Sequence, residues 1–347
     1  MNIEILFEDG EALVINKPAG TPVDRPKRGG PALWDHIEQL KLGFQRPPVA
    51  VHRLDTDTSG CLILARNPKA LKRFNRAFED RLVGKTYLAV MDFEFLYDTT
   101  SGLLSIGYDV SERRRDPACY DLLASEARLA SFLLIAQGQL PQKHWFALGR
   151  LLTSHGGDVS LISWSGSMFE DLMPRLIMPS YENTLLESTC KAAVSRQIEY
   201  GRQRAVPWGI SESCYNATDM HQVYQYRAFG VPGMGLKRGL GDDLVIAPYA
   251  SALALMVMPL PACSNLQTLA DSGFLGDYGF YEAVDYTPSR VPRGKHHTIV
   301  RVFMAHHQGM IMCAIGNSLC DDILVKRFEE DARISSVSLL LHERIPQ

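Results

Sequence analysis

Three loops in the second half of the chain place a carboxylate beside aromatic and glycine residues. Residues 163–170 read SWSGSMFE, residues 207–216 read PWGISESCYN and residues 278–286 read YGFYEAVDY. Aromatic rings can stack on the apolar C–H faces of sugars, and carboxylates can bind their hydroxyl groups. Cleavage of a glycosidic bond typically uses two carboxylates, one as proton donor and one as nucleophile or base. The pattern therefore predicts a saccharide cleft.

The front of the chain carries a different set of motifs. Residues 51–60 read VHRLDTDTSG, residues 16–20 read NKPAG and residues 85–87 read KTY. A helix predicted over residues 68–81 has one basic stripe at i, i+3, i+4 and i+7, formed by Lys69, Lys72, Arg73 and Arg76. This stripe can contact phosphates without reading base sequence, although an exposed basic stripe is usually only a solvated helix face.

These front motifs resemble the N-terminal half of the RluA family of pseudouridine synthases. The resemblance implies that Asp55 is the catalytic aspartate acting on a flipped-out uridine, that Tyr87 packs on that base and that Arg53 helps to hold the loop. It also implies RNA as a partner of the basic helix, since base extrusion needs support for the opened strand. Taken alone, an Arg-Leu-Asp string carries little information, and Tyr87 could be an ordinary core residue.

The rest of the chain is similar to the glycoamylase-like region of cyclic β-1,2-glucan synthases. The matching strings are LASEAR at 123–128, WSGSMFE at 164–170, GISES at 209–213, FGVPG at 229–233, GLGDD at 239–243, YGFYE at 278–282 and AHHQGM at 305–310. The resemblance implies an (α/α)6 barrel and a glycoside hydrolase or transglycosylase that acts on β-1,2-glucan.

Within this region Glu126 and Glu212 are the candidate catalytic pair. Glu212 follows Trp208 in a loop, where its side chain can face a cleft, whereas Glu126 lies on a predicted helix beside Arg128. An ordinary surface ion pair is the competing interpretation of Glu126. The candidate sugar-binding residues are Trp164, Glu170, Trp208, Tyr215, Asp243, Glu282, Asp285 and His306.

Two of these candidates have a plainer structural interpretation. Glu170 could be a buried carboxylate bonded to the start of a helix. The His306–His307 pair could be a polar patch between helices, which is favoured over a metal site because adjacent histidines lack the HExxH spacing. The sequence predicts no metal and no cofactor, because no ligand cluster or phosphate-binding glycine loop stands out.

Composition points to a chain with two different parts. The 347 residues carry a net charge of −3, but residues 1–91 hold 14 Lys and Arg against 11 Asp and Glu, so the front is basic and the remainder acidic. The seven cysteines show no CxxC spacing, which favours reduced thiols and a cytoplasmic location. No apolar run is long enough for a membrane span, so no membrane insertion is expected.

The elements that position these motifs change in character near residue 92. Short strands around a single basic helix precede it, and long helical stretches with few strand signals follow it. Helices are expected over residues 120–137, 142–152, 167–178, 184–202, 244–258, 297–320 and 322–342. The predicted fold class is α+β, with a small mixed α/β pseudouridine-synthase-like fragment at 1–91 and a mostly helical, incomplete (α/α)6-barrel-like domain at 95–347.

Three functions remain open from the sequence. The first is a glycoside hydrolase or transglycosylase fused to a truncated pseudouridine synthase domain. The second is an RNA pseudouridine synthase, acting through Asp55, with a passenger carbohydrate-binding domain. The third is a carbohydrate-binding remnant without catalysis. Both parts are expected to be shorter than their full families.

Overall fold

The computed structural model describes residues 3–25, 30–80, 82–85, 93–119, 121–123, 125–155 and 157–345, with only the backbone at 125–127, 155 and 158. The chain divides into two compact units, residues 1–90 and residues 91–347. The predicted domain limits, 1–91 and 95–347, remain a prediction, and each unit is described by itself.

The first unit is built on an antiparallel sheet with strand order β1-β2-β4-β3. Its strands are β1 (Glu4–Glu8), β2 (Ala12–Lys17), β3 (Val49–Ala50) and β4 (Gly60–Ala65). Alternate residues of β2 and β4 face the core, with Leu13, Ile15 and Leu62 fully buried. A 3₁₀ helix at Leu33–Leu40 supplies further apolar side chains to this core.

The helix α1 (Pro68–Glu79) carries the basic stripe and ends two residues before the predicted limit. Asn67 begins it, because its side chain accepts a hydrogen bond from the backbone of Ala70 and Pro68 occupies the first helical position. Most of the strand expected at residues 85–90, including Tyr87, lies outside the described residues.

The second unit is mostly helical. Its α-helices are α2 (Ser125–Ala136), α3 (Lys143–Ala147), α4 (Met168–Leu172), α5 (Leu185–Arg204), α6 (Pro248–Leu253), α7 (Pro259–Leu269), α8 (Ala305–Leu319), α9 (Ile323–Glu329) and α10 (Ala332–Val337). Shorter 3₁₀ turns lie at Glu94–Leu96, Met173–Leu176, Ala254–Met256 and Ser338–His342, and a π-helical turn lies at Ala270–Phe274. The predicted fold class, α+β with a mostly helical second part, is confirmed.

Short strands interrupt these helices, although this part of the sequence contains few strand signals. They are β5 (Tyr97–Asp98), β6 (Leu103–Leu104), β7 (Tyr108–Asp109), β8 (Arg114–Arg115), β9 (Leu152–His155), β10 (Asp158–Leu161), β11 (Ser213–Thr218), β12 (Tyr224–Arg227), β13 (Val245–Ile246), β14 (Leu275–Gly276), β15 (Gly279–Phe280), β16 (Ala283–Asp285) and β17 (Thr298–Val300). Most of these strands have only two or three residues, which is too few to show the alternation by which a strand is recognised in a sequence.

Several predicted helices therefore have different limits. The helix expected at 142–152 is only the short α3, because residues 152–155 pair with β10 instead. The helix expected at 244–258 begins at Pro248, where proline fits the first helical position rather than kinking a longer helix. The stretch 322–342 is divided into α9, α10 and a 3₁₀ turn.

A small sheet and a hairpin carry the candidate site. The sheet has the order β13-β16-β17, and the hairpin joins β11 to β12. Their apolar side chains form one core cluster in which Phe229, Val245 and Phe274 are buried. The loops before β11 and β16 are consequently fixed at their bases.

Candidate functional site: a tyrosine–histidine–carboxylate network

The β11–β12 hairpin positions Glu212. Cys214 on β11 pairs with Tyr226 on β12, and Glu212 lies two residues before Cys214. This register places the Tyr226 hydroxyl 2.9 Å from Oε1 of Glu212, to which it donates a hydrogen bond. The Glu212 side chain is half-buried, so it is held by protein and still reaches solvent.

The backbone of Glu212 is fixed by a second tyrosine. The Tyr249 hydroxyl donates to the carbonyl oxygen of Glu212 at 3.0 Å. Since that proton is used, the Ser211 hydroxyl, 2.8 Å away, donates to the Tyr249 oxygen. Burial raises the pKa of Tyr249 well above its ordinary value, which keeps the phenol neutral and able to donate.

A buried histidine–glutamate pair lies behind Tyr226. Nδ1 of His307 is 2.9 Å from Oε2 of Glu282, and both side chains are 1% exposed. The other carboxylate oxygen of Glu282 accepts from the backbone N–H of Cys214 at 3.1 Å. Nε2 of His307 is 3.4 Å from the Tyr226 oxygen. Glu212 and Glu282, both predicted from the sequence, are thus joined by Tyr226 and His307.

Two further groups belong to this network. The Tyr249 ring stacks on the His307 ring, with centroids 3.8 Å apart and planes inclined by 14°. His306 is exposed, and its ring centroid is 4.0 Å from that of His307. Burial and the neighbouring His307 lower the pKa of His306. Burial also raises the pKa of the Tyr226 phenol, and the charge of Glu212 adds to that shift.

Asp243 and Asp285 lie in a buried ion cluster around Arg290. Asp285 is fully buried, and its oxygens accept from Arg290 Nε at 2.7 Å and from the backbone of Asn216 and Thr287 at 3.1 and 2.9 Å. Asp243 binds Arg290 at 2.5 Å and Arg227 of β12 at 2.8 Å. The cluster therefore fastens the strand that carries Tyr226.

Three aromatic residues predicted to bind sugar, Tyr215, Trp164 and Trp208, differ in their surroundings. The Tyr215 ring lies beneath the Arg290 guanidinium, whose carbon is 4.9 Å from the ring centroid. Trp164 is 65% exposed, whereas Trp208 is 7% exposed and packs in the helical core. Of these three residues, Trp164 is the one that presents a large ring face to solvent.

Glu170 lies at the start of α4 in a group of serines. Its carboxylate accepts from the hydroxyl groups of Ser163 at 2.9 Å and Ser167 at 3.1 Å, and also from that of Ser165. Ser167 caps α4 in return. This geometry matches the interpretation of Glu170 as a carboxylate bonded to a helix start.

The helix α4 also connects the two candidate catalytic residues. Glu126 lies in the first turn of α2, and its side chain is outside what the structure describes. Two residues later the buried Arg128 donates to the carbonyl oxygens of Glu170 and Asp171, both at 3.1 Å. The backbone of Phe169 donates to Ser211 Oγ at 3.0 Å. Hence α4 anchors both the start of α2 and the Glu212 loop.

Asp171 is a second unusual carboxyl group on α4. It is 2% exposed, and burial followed by the neighbouring Glu170 raises its pKa well above its usual value. Its Oδ1 has no hydrogen-bond partner among the described residues. A neutral carboxylic acid accounts for both observations.

The Asp55 loop of the first unit is built differently. Asp55 is exposed, and its backbone carbonyl accepts from Thr58 at 3.1 Å in a turn. Lys17 is fully buried, and its ammonium group donates to the carbonyl oxygens of Pro18, Thr21 and Thr56 at 2.9, 2.7 and 3.1 Å. Arg53 is exposed and lies 3.4 Å from Asp24. Lys17 thus fixes the loop through its main chain.

Sequence reasoning missed Tyr226, Tyr249, His307 and Lys17 as members of these sites. His307 was considered only as the neighbour of His306, and the segment around Tyr226 contains no recognisable motif. Alternation of Tyr224 and Tyr226 at strand spacing was the one available signal for a tyrosine facing the site. Among the described residues, no three His, Cys, Asp or Glu side chains lie close enough together to hold a metal ion. In that same part of the chain, no helix has the length and apolar content required to cross a membrane.

Protein-family models match two successive parts of the chain. The family model described as "Putative glucoamylase" matches residues 119–332, and the RNA pseudouridylate synthase model matches residues 11–118. The chain therefore belongs to the glycoamylase family, and it also contains a pseudouridine synthase segment. Both resemblances seen in the sequence are confirmed.

Individual relatives agree with this assignment. The chain is 50% identical over 257 residues to the cyclic β-(1,2)-glucan synthase NdvB of Rhizobium meliloti. The aligned region covers 74% of this chain but only 9% of that protein. The chain is also 49% identical over 88 residues to an RNA pseudouridine synthase of Zymomonas mobilis, covering 25% of this chain and 40% of the relative. The chain thus spans less than half the length of either relative.

A solved structure shows the same fold at low identity. The endo-β-1,2-glucanase from Chitinophaga pinensis, solved in complex with sophorotriose and glucose, aligns with a TM-score of 0.54 and 15% identity. The alignment covers 79% of this chain and 64% of that one. At this identity the likeness concerns the fold alone.

Proposed function

We propose that this protein cleaves or transfers β-1,2-linked glucosyl units, with Glu126 and Glu212 as its two catalytic carboxylates. The observation that carries the proposal is the half-buried Glu212 carboxylate, oriented by the Tyr226 hydroxyl at 2.9 Å in a chain of this family. The Rhizobium relative is a cyclic β-(1,2)-glucan synthase, and this supports β-1,2-glucan as the substrate class.

Burial separates Glu212 from the other carboxylates of the aromatic loops. Glu282 and Asp285 are 2% and 0% exposed, and their oxygens accept hydrogen bonds from protein groups. A group that transfers a proton must reach the glycosidic oxygen directly. Glu212 meets that requirement, whereas Glu282 and Asp285 support the loops around it.

Glu126 is assigned as the partner carboxylate on its place in the fold. Its helix is bound to α4 through Arg128, and the Glu212 loop is bound to α4 through Ser211. A shared anchor of this kind fixes the backbone of the first turn of α2 relative to the Glu212 loop, and a two-carboxylate reaction requires both carboxylates to be carried by ordered backbone. One of the pair donates a proton to the leaving oxygen, and the other acts as nucleophile or base.

The sugar-binding assignments follow exposure. Trp164 supplies a ring face for stacking, and the exposed His306 ring lies beside the network. Glu170, Asp243, Asp285, Tyr215 and Trp208 are assigned to holding the loops, because their polar atoms or rings are already engaged by protein groups.

The direct test is incubation of the full chain with linear β-1,2-glucan, with β-1,3-glucan and an α-1,4-glucan as comparison substrates. We expect new oligosaccharides or cyclic products from the β-1,2-linked substrate only, separated by ion-exchange chromatography. Glu126→Gln should abolish them, and the exposed Glu330→Gln should not. Unchanged β-1,2-glucan with the folded wild-type chain would contradict the proposal.

The second candidate function is isomerisation of uridine in RNA by the first unit. The observation in its favour is the buried Lys17, which orders the loop that carries Asp55 through the Thr56 carbonyl oxygen. Tritium release from 5-tritiated uridine in RNA tests it, with Asp55→Asn as the catalytic variant and the exposed Asp80→Asn as its control. Release by wild type that Asp55→Asn eliminates would establish this function.

We propose residues 1–91 and 95–347 as the two domains. The compact units divide at residues 90 and 91, whereas the two family matches meet at residues 118 and 119. The short hairpins β5–β6 and β7–β8 lie between these limits. Limited proteolysis with mass spectrometry distinguishes the two possible domain boundaries. Cleavage at residues 86–94 supports the proposed limits, and cleavage near residue 118 contradicts them.

A further inference from the structure

A continuous chain of side-chain hydrogen bonds joins Glu212 to the protein interior. It runs from Glu212 to the Tyr226 hydroxyl at 2.9 Å, from there to Nε2 of His307 at 3.4 Å, and from Nδ1 of His307 to Glu282 at 2.9 Å. Tyr226, in its middle, is 41% exposed, whereas the His307–Glu282 pair at its end is 1% exposed.

The donors and acceptors in this series of hydrogen bonds permit two arrangements of protons. Nδ1 of His307 donates to the Glu282 carboxylate, so Nε2 carries either a lone pair or a second proton. With a lone pair, Nε2 accepts the Tyr226 proton, and the Tyr226 oxygen can accept a proton from Glu212. With a proton, Nε2 donates to the Tyr226 oxygen, and the Tyr226 hydroxyl donates to a Glu212 carboxylate.

We propose that Tyr226 and His307 form a proton relay that moves one proton between Glu212 and the buried His307–Glu282 pair. The inference rests on the proposed function, in which Glu212 exchanges a proton with the substrate. In the forward step the Glu212 proton passes to the Tyr226 oxygen while the Tyr226 proton passes to Nε2 of His307. The products are a Glu212 carboxylate and an imidazolium, and the reverse step restores the acid.

The surroundings of His307 suit an imidazolium. Within the described residues, His307 is the one cation-forming side chain that pairs with the buried Glu282 carboxylate. A buried carboxylate is costly without a positive partner, and the electron-rich face of the stacked Tyr249 ring favours a cation. Among the described residues, the groups in contact with His307 are Glu282 before β16, Tyr226 on β12, Tyr249 on α6 and His306 on α8. Cys214 on β11 lies beyond Glu282, and Glu212 lies beyond Tyr226.

None of the other neighbours competes for the proton. Burial raises the pKa of the Cys214 thiol to about 11, so it stays protonated and uncharged. Burial and His307 lower the pKa of His306, which disfavours protonation of that ring. Because burial also raises the pKa of Tyr226, the two proton movements must be concerted, without a free tyrosinate.

Elsewhere in the protein, a second group of Tyr, Glu and His side chains provides a matched control for the relay. The Tyr181 hydroxyl donates to Oε1 of Glu329 at 3.1 Å, and the Tyr181 ring stacks on His342 with centroids 3.9 Å apart. This trio has the same residue types as Tyr226, Glu212 and His307, but Tyr181 packs against the core cluster that contains Phe132 and Trp145. Removal of its hydroxyl therefore tests general damage from a Tyr→Phe change.

The first arm of the experiment compares Tyr226→Phe with Tyr181→Phe on β-1,2-glucan. Tyr226→Phe should lower kcat by about 10²-fold or more, leave KM within a factor of two, and change the pH dependence of kcat. Tyr181→Phe should match wild type in all three. Glu282→Gln is the second variant, since an amide donates to Nδ1 and fixes the proton on Nε2, which should also lower kcat.

The second arm is independent of turnover. Nitrogen NMR of the His307 ring is recorded against pH in four forms of the full chain: wild type, Glu212→Gln, Tyr226→Phe and the double variant. The relay predicts that Glu212→Gln moves the His307 midpoint in the wild-type background and does not move it in the Tyr226→Phe background.

The two arms separate the relay from the proposed function. Equal effects of Glu212→Gln in both backgrounds would overturn the relay, as would a Tyr226→Phe enzyme with wild-type kcat and pH profile. A coupled His307 midpoint in a chain that leaves glucan unchanged would support the relay while refuting the proposed function.

Discussion

The Asp55 loop and the Glu212 loop hold a candidate catalytic carboxylate in two different ways. In the first unit the buried Lys17 binds carbonyl oxygens, so it fixes the main chain of the loop. In the second unit the Glu212 carboxylate itself accepts from Tyr226, which is backed by the buried His307–Glu282 pair. The difference shows that ordering the main chain of a loop does not by itself orient the carboxylate that the loop carries. A reacting carboxylate must be oriented toward its substrate.

The largest expected effect comes from removing the ion cluster that supports the Glu212 loop. Arg290→Met leaves Asp243 and Asp285 buried without their shared cation, which should lower the free energy of unfolding of the second unit by about 3–5 kcal/mol. Denaturant unfolding followed by circular dichroism measures it. Arg333→Met, which breaks an exposed pair with Asp331, should cost little stability. An equal loss of unfolding free energy in Arg290→Met and Arg333→Met would show that the cluster contributes no more stability than an exposed ion pair.

The corresponding change in the first unit is Lys17→Met. Three carbonyl oxygens lose a charged donor, and we expect a loss of about 1.5–3 kcal/mol, with faster hydrogen exchange at residues 55–58. The exposed Lys72→Met of α1 provides the control. Unchanged exchange around Asp55 in Lys17→Met would contradict the idea that this lysine orders the loop.

A pH titration tests the anchor α4. Because the folded-state pKa of Asp171 is raised, the folded protein keeps a proton that the unfolded chain releases, so its stability falls as pH rises above the usual carboxyl range. Asp171→Asn removes this loss, and the difference in Tm between variant and wild type should grow from pH 4 to pH 8. Each unit of pKa corresponds to about 1.4 kcal/mol.

Asp331→Asn should show the opposite trend. Arg333 lowers the pKa of Asp331 to about 2, so its contribution is present at neutral pH and is lost as pH falls toward that value. Parallel pH trends for Asp171→Asn and Asp331→Asn would show that Asp171 is not held as a neutral acid.

The smallest effect is expected at Trp164. Its ring is 65% exposed, so Trp164→Ala should change the stability of the protein by less than about 0.5 kcal/mol. Loss of a stacking surface should nevertheless weaken oligosaccharide binding by about 0.5–1.5 kcal/mol. Calorimetric titration with a β-1,2-linked oligosaccharide measures it, and unchanged affinity would remove Trp164 from the sugar site.

The sequence predicted the outline of the fold because the strongest signals are local. Asn67 and Pro68 mark the start of α1, and Thr184 marks the start of α5 by accepting from Glu187. Strands of two to four residues, such as β9 and β13, carry no comparable signal and depend on partners distant in the chain.

The candidate site was predictable only in part for the same reason. Glu212 and Glu282 belong to recognisable aromatic loops, whereas Tyr226 and His307 reach them through the pairing of β11 with β12 and the packing of α8. Pairing register and helix packing are set by the whole core, so a motif search does not reveal them.

The most direct test of Glu212 as a catalytic carboxylate compares wild type with Glu212→Gln on linear β-1,2-glucan, using circular dichroism to establish that both are equally folded. We expect product formation by wild type and a loss of about 10²–10⁴-fold in Glu212→Gln, with the Glu330→Gln control unaffected. A folded Glu212→Gln variant that forms products at the wild-type rate would contradict it.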